Sequence, residues 1–145
     1  MKKLPVILVA LLLIATLVGC SSPAPASNEP GTGYTGETGR AYVDVDAAKT
    51  EELIQTDRDL VVIDTSGKWA EGHIFGALNT PIDQLQEIIN DDFLLNASKH
   101  YVVYARDEET SKRAAQMLID SAFTVVNRLQ GGYDAWVAYG GYTEQ

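Results

Sequence analysis

The sequence predicts an α/β domain, with a central parallel sheet of about five strands and helices on both faces. Three observations carry this. Apolar β-branched runs such as Leu60-Val61-Val62-Ile63 are continuous rather than alternating, as in strands covered on both sides. Stretches of helical character separate the runs, so successive strands run the same way. An apolar share of 46% supports a core, and 145 residues allow one domain with some chain left over.

The elements follow in order. Ala41 to Val45 is a short β-like run. Asp46 can cap a helix through Gln55, with Leu53 and Ile54 on its apolar face. Leu60 to Ile63 is the next strand. After a Gly-containing loop, Ile74 to Leu78 predicts another. Pro81 and Asp83 start a helix through Ile89 that carries Ile82, Leu85, Ile88 and Ile89. His100 to Tyr104 is an apolar strand run, and Thr110 to Ala122 a helix with Ala114, Met117 and Leu118 on one face. Phe123 to Val126 is the last strand and Tyr133 to Tyr139 the last helix. Ligands in such folds meet the carboxyl ends of strands, so the loop after Tyr104 is where chemistry is expected.

The first forty residues read differently. Lys2 and Lys3 precede an apolar run from Leu4 to Val18, the n-region and h-region of a secretory signal. The run is short for a membrane span, which needs about 20 residues. Leu17-Val18-Gly19-Cys20, followed by Ser21-Ser22, resembles a bacterial lipoprotein lipobox. That resemblance implies a signal peptide over 1–19 and lipidation of Cys20. The domain would then be extracytoplasmic, lipid-anchored in the cell envelope, in the periplasm or on the outer surface. Two or more acyl chains give stable anchoring where one gives only marginal binding. Residues 20–40 then form a tether, because 21–40 hold three of the five prolines and four of the twelve glycines. The folded domain is expected over 41–145.

Composition excludes several functions. The formal charge of −9 opposes binding to nucleic acid, which Lys and Arg drive by releasing counterions. A single Cys excludes an internal disulfide framework and Cys-based zinc sites. His73 and His100 lie 27 positions apart and match no local metal spacing. No Walker-type loop or Gly-x-Ser-x-Gly elbow occurs. The acidic turns Asp57-Arg58-Asp59 and Asn90-Asp91-Asp92 read as solvated loops before they read as Ca²⁺ sites. No cofactor and no metal are expected.

Two further segments carry a family resemblance. Leu60-Val-Val-Ile-Asp64, then Trp69-Ala-Glu-Gly72-His73-Ile74-Phe75-Gly76-Ala77-Leu78-Asn79-Thr80-Pro81, resembles one signature of the rhodanese family. Gly131-Gly132-Tyr133-Asp134-Ala135-Trp136, ahead of Gly140-Gly141-Tyr142, resembles the second. Val102-Val103-Tyr104 stands between them as the strand leading into the active loop. The residues themselves read mainly as structural. His73 suits a hydrogen-bonded place in a Gly-rich turn, and Gly76, Gly131 and Gly132 suit tight backbone geometry. Trp136 and Tyr133 suit a core. Asp64 could be a catalytic acid at a strand end, but the resemblance implies an acceptor that organises the loop.

The resemblance fails at one point. Active rhodaneses carry Tyr-Cys-x-x-Gly-x-Arg/Thr-Ser after the strand. Here the segment is Tyr104-Ala105-Arg106-Asp107-Glu108-Glu109-Thr110-Ser111, with Ala105 at the Cys position and Glu108 at the Gly position. Alanine cannot carry a persulfide, and sulfur transfer needs a thiolate. Phosphatase chemistry on this fold meets the same objection. Thr65 is a further departure, where an Arg is common. The loop's three carboxylates, Asp107, Glu108 and Glu109, face only Arg106, Lys112 and Arg113, and would repel thiosulfate or phosphate.

The reading that follows is a rhodanese-like domain without sulfurtransferase activity, acting as a binding or regulatory module. Its contact surface is expected at Ala105 to Ser111, beside Trp69 and Arg106, for a basic patch on a protein partner or a small polar ligand. The alternative is an enzyme. It would use a Cys from a partner, or Asp64 and Glu108 as acid and base. A passive role at the envelope is the third.

Overall fold

A computed structural model describes residues 40–91 and 93–145. The expected signal peptide, Cys20 and all of the expected tether except Arg40 lie outside the described residues, as does Asp92. No helix among the described residues is long and apolar enough to cross a membrane.

Five strands form one parallel sheet in the order β1-β6-β5-β2-β4. These are β1 (Val43–Val45), β2 (Leu60–Asp64), β4 (Leu78–Asn79), β5 (His100–Tyr104) and β6 (Val125–Leu129). A separate antiparallel ribbon joins β3 (His73–Ile74) to β7 (Thr143–Glu144) near the C-terminus. The helices are α1 (Ala47–Thr56), α2 (Leu85–Ile89), α3 (Glu108–Asp120) and α4 (Gly132–Tyr139). The expected fold class is the one observed.

Both sheet faces are covered, which is why the central strands read as continuous apolar runs. Ile63, Tyr101, Val103 and Val126 pack with Leu85, Ala115, Leu118 and Ile119 of α2 and α3 on one side. Val62, Val102, Tyr104 and Leu129 pack with Ala47, Tyr133 and Trp136 of α1 and α4 on the other.

Several boundaries differ from expectation, each for a local reason. Ile74 to Leu78 is not one strand. Ala77 N–H closes a turn on Ile74 O, and Gly76 takes φ +74°, so β3 and β4 enter different sheets. His73 therefore lies in a strand rather than in a turn. Pro81 to Gln84 forms a turn, closed by Gln84 N–H on Pro81 O, and α2 begins only at Leu85. Helix α3 begins at Glu108 rather than Thr110, because the Asp107 side chain accepts Thr110 N–H at 2.8 Å as its cap. Glu108, Glu109, Thr110 and Ser111 thus belong to a helix, not a loop. Strand β6 starts at Val125, two residues after the expected Phe123, and runs on to Leu129.

Candidate functional site

The carboxyl ends of β2 and β5 and the start of α4 converge on Ala105. This residue is fully buried. Its carbonyl accepts Tyr133 N–H at 3.0 Å. Gly132 sits against the same carbonyl with φ +57°, where a Cβ would lie 2.2 Å from that oxygen. Any other residue at 132 would push α4 off the loop.

Arg106 turns away from solvent. Its Nη2 donates to Gly72 O at 2.7 Å, and its guanidinium lies 3.9 Å from the centre of the Tyr133 ring. Its Nε finds no acceptor among the described residues. Asp107 is spent on capping α3, and the Thr110 N–H holds its carboxyl below the usual range.

Glu108 departs from the sequence expectation of three outward carboxylates. Its Oε1 accepts Gly131 N–H at 2.6 Å, and its Oε2 accepts Arg128 Nη1 at 2.5 Å. Partial burial works against its charge, but the Gly131 N–H and Arg128 outweigh that and lower its pKa. Arg128 is only 1% exposed and also donates Nε to Asp44 Oδ1 at 2.6 Å. Asp44 is its register partner across β1 and β6. The charge-assisted bonds outweigh its desolvation, so its pKa is raised. Ser111 Oγ donates to Glu108 O and lies 3.3 Å from Arg128 Nη1. The segment after β5 is therefore tied shut by its own carboxylate. The Glu109 carboxylate is exposed and makes no side-chain hydrogen bond or ion pair among the described residues.

Sequence reasoning missed Arg128. The signal was a cation inside an apolar strand run, Val125-Val126-Asn127-Arg128-Leu129, which demands a buried counter-charge.

The other singled-out residues organise the surroundings. Asp64 is buried, and accepts Tyr104 Oη–H at 3.1 Å and Ser66 N–H at 2.8 Å. Tyr104 Oη in turn accepts Ile74 N–H at 3.0 Å. Burial, then the charge of Asp64, pushes this phenol far above its ordinary range. Thr65 Oγ1 donates to Tyr104 O. Trp69 stacks on His73 with ring centres 3.4 Å apart. His73 Nδ1 meets Trp69 O, and its Nε2 lies 3.2 Å from Glu144. Trp136 is buried and donates Nε1–H to Tyr142 O at 3.0 Å. Asp64 and Glu108 are thus each engaged with internal partners. Among the described residues no cluster of His, Cys, Asp and Glu could hold a metal ion.

A model of the rhodanese-like domain matches residues 46–139. The chain belongs to the rhodanese-like domain family. Among curated relatives, the uncharacterized protein YqhL of Bacillus subtilis is 31% identical over 77 residues, which cover 53% of this chain and 59% of that protein. The chain thus spans under two thirds of that relative's length. The thiosulfate sulfurtransferase GlpE of Coxiella burnetii is 29% identical over 100 residues, covering 68% of this chain and 90% of the enzyme. Among solved structures, the rhodanese-like domain of Anabaena Alr3790 matches with a TM-score of 0.62 and 29% identity, over 70% of this chain and 77% of that one.

Proposed function

We propose that this chain is a lipid-anchored, extracytoplasmic rhodanese-like module that does not transfer sulfur and acts by binding. The observation that carries the reading is Ala105 at the head of the loop, buried under Gly132 and Tyr133. A methyl group there has no lone pair to attack thiosulfate and cannot hold a persulfide. Glu108 supports the same reading. Its carboxylate already takes the Arg128 guanidinium and the Gly131 N–H, donors that would otherwise favour an anion. Anchoring through Cys20 is supported by the lipobox-like sequence. The first turn of α3 offers Glu109 to a basic partner, with Asp107 beside it.

Sulfur transfer from thiosulfate to cyanide tests the reading. The chain from Thr35 onward, which holds every buried core residue among the described residues and no Cys, is assayed beside its Ala105→Cys variant. No turnover is expected from the parent. Turnover by the parent would sink the proposal, because no thiol remains to carry the sulfur. Turnover by Ala105→Cys alone would show that the nucleophile was the missing part. Silence from both would place the block at Glu108 as well.

A further inference from the structure

The edge of the sheet at β2 and β4 is unfinished. Strand β4 pairs with only Ile63 and Asp64 of β2. Leu60, Val61 and Val62 have no strand beside them on that side among the described residues. Alternation decides where their backbone groups point. Thr65 N–H donates to Tyr104 O, and His100 N–H to Asp59 O, so odd-numbered residues here bond toward β5. Thr80 N–H donates to Asp64 O, so even-numbered residues face the β4 side. The Ile63–Leu78 register gives Val62 O to Leu78 N–H, so Leu60 and the Val62 N–H are what face the vacant half of the β4 slot. Leu60 N–H makes only a long turn contact, 3.4 Å to Asp57 O.

An apolar groove follows this edge. It holds about 430 Å³ and is lined by Ile54, Asp57, Leu60, Phe75 and Leu78 among others. A smaller crevice of about 180 Å³ shares Ile54 and Phe75 with it and reaches Glu51, Trp136 and Tyr142. Phe75 is 65% exposed, Leu78 46% and Tyr142 80%. Large apolar side chains beside an open ladder form a ready template for another strand. The charged residues lining the groove and the crevice are Asp57 and Glu51; Asp57 lies 2.6 Å from His100 Nδ1 and Glu51 accepts Tyr139 Oη–H at 2.6 Å, and no Lys or Arg lines either.

We propose that this edge takes an extended basic and apolar segment of a partner protein as an added strand. The proposal rests on the reading that the chain acts by binding, and it names a second surface for that binding. An added strand of three residues spans about 10 Å and would bond to Leu60 and Val62. Its apolar side chains would cover Ile54, Phe75 and Leu78, and its cations would meet Asp57 and Glu51. Charge disfavours the other occupants. A second copy brings the same carboxylates and a formal charge of −9. An anionic bilayer is repelled likewise. The chain's own residues 21–39 hold Glu29 and Glu37 with no Lys or Arg.

The test uses the full chain in zwitterionic detergent micelles and three fluorescent nine-residue peptides. One alternates Lys and Val, one alternates Glu and Val, and one is the Lys peptide with N-methylated backbone amides. Anisotropy should show the Lys peptide binding at least tenfold tighter than the other two, and weakening as salt rises. Phe75→Asp and Leu78→Ser should each weaken it at least fivefold, while Glu87→Lys on α2, outside the groove, leaves it unchanged. Phe75 and Leu78 are exposed enough that circular dichroism should show both variants folded. Equal binding of the N-methylated peptide would remove the added strand, and equal binding of the Glu peptide would remove the charge argument. Insensitivity to Phe75→Asp and Leu78→Ser in folded protein would overturn the site. A dimer in sedimentation that Phe75→Asp dissolves would make the occupant a second copy and overturn the partner. Any of these with an inactive parent sinks only this inference. Sulfur transfer by the parent sinks the binding-module reading itself, whatever the peptides do.

Discussion

At the carboxyl ends of the strands, Arg106, Asp107, Glu108 and Arg128 all have internal partners. At the edge formed by β2 and β4, Leu60 to Val62 pair with β5 but lack a strand neighbour on the β4 side among the described residues, and Phe75 and Leu78 stand in solvent. The first region is where this fold does chemistry, and here its polar groups hold the chain together. The second has no chemical equipment and keeps its backbone and apolar surface available. Strong internal pairing and open surface are opposite uses of the same side-chain energy. Where Glu108 and Arg128 are already paired, a ligand must displace a partner as good as itself.

The sharpest way to break the contrast is Arg128→Met. The substitution leaves Asp44 and Glu108, with side chains 15% and 45% exposed, without their shared buried cation. Loss of one member of a fully buried pair costs about 3–5 kcal/mol, and hydration of the part-exposed carboxylates brings the expected loss to about 3 kcal/mol. Urea unfolding should show that loss. Adding Asp44→Asn and Glu108→Gln should recover part of it, since no uncompensated charge then remains. A loss below about 1 kcal/mol for Arg128→Met would mean that the cluster does not hold the loop.

Gly132→Ala probes the same region through the backbone. Its Cβ would fall 2.2 Å from Ala105 O, at a φ of +57° that disfavours a side chain. Strain and displacement of α4 together should cost about 2–3 kcal/mol in the same experiment. Gly67→Ala is the control. It has positive φ with nothing within 4 Å of the added Cβ, so it should cost less.

Glu108→Gln should have a smaller effect. The carboxylate is near half exposed, so screening limits its contribution to about 1 kcal/mol. Its pH dependence is more informative than its size. The folded pKa values of Asp107 and Glu108 are both lowered. Their contribution is complete above the unfolded carboxylate values, about 3.9 and 4.3, and fades as pH falls through the lowered folded ones. Acid titration of the urea midpoint should show a steeper acid limb for the parent than for Glu108→Gln. Identical limbs would deny Glu108 its role in closing the loop.

The sequence made the fold legible because both sheet faces are covered. That turned β2 and β5 into unbroken apolar runs, and Asp46 marked a helix start. Errors gathered where backbone geometry overrode composition. Gly76 bent one apparent strand into two, and Asp107 captured the start of α3 two residues early. The resemblance to the family put Ala105 at the Cys position, and the structure adds that this residue is buried against Gly132 and Tyr133. The closure was not legible, because Arg128 lies 20 residues from Glu108 and meets it only through the order of strands. The open edge was equally hidden. It depends on how few residues β4 pairs, and hydropathy does not report that.

The smallest expected effect on stability lies at that edge, and it separates the two regions most cleanly. Phe75 is 65% exposed, and its ring contributes surface rather than core. Phe75→Asp should therefore move the urea midpoint by no more than about 0.5 kcal/mol of stability. The same substitution should weaken the Lys and Val peptide at least fivefold. Arg128→Met should show the reverse pairing, a large loss of stability with peptide affinity little changed in the fraction that stays folded. If Phe75→Asp instead destabilised the chain by about 2 kcal/mol or more, the ring would be holding β3 and β4 in place. The edge would then be structure, like the loop, and the contrast between a closed site and an open one would disappear.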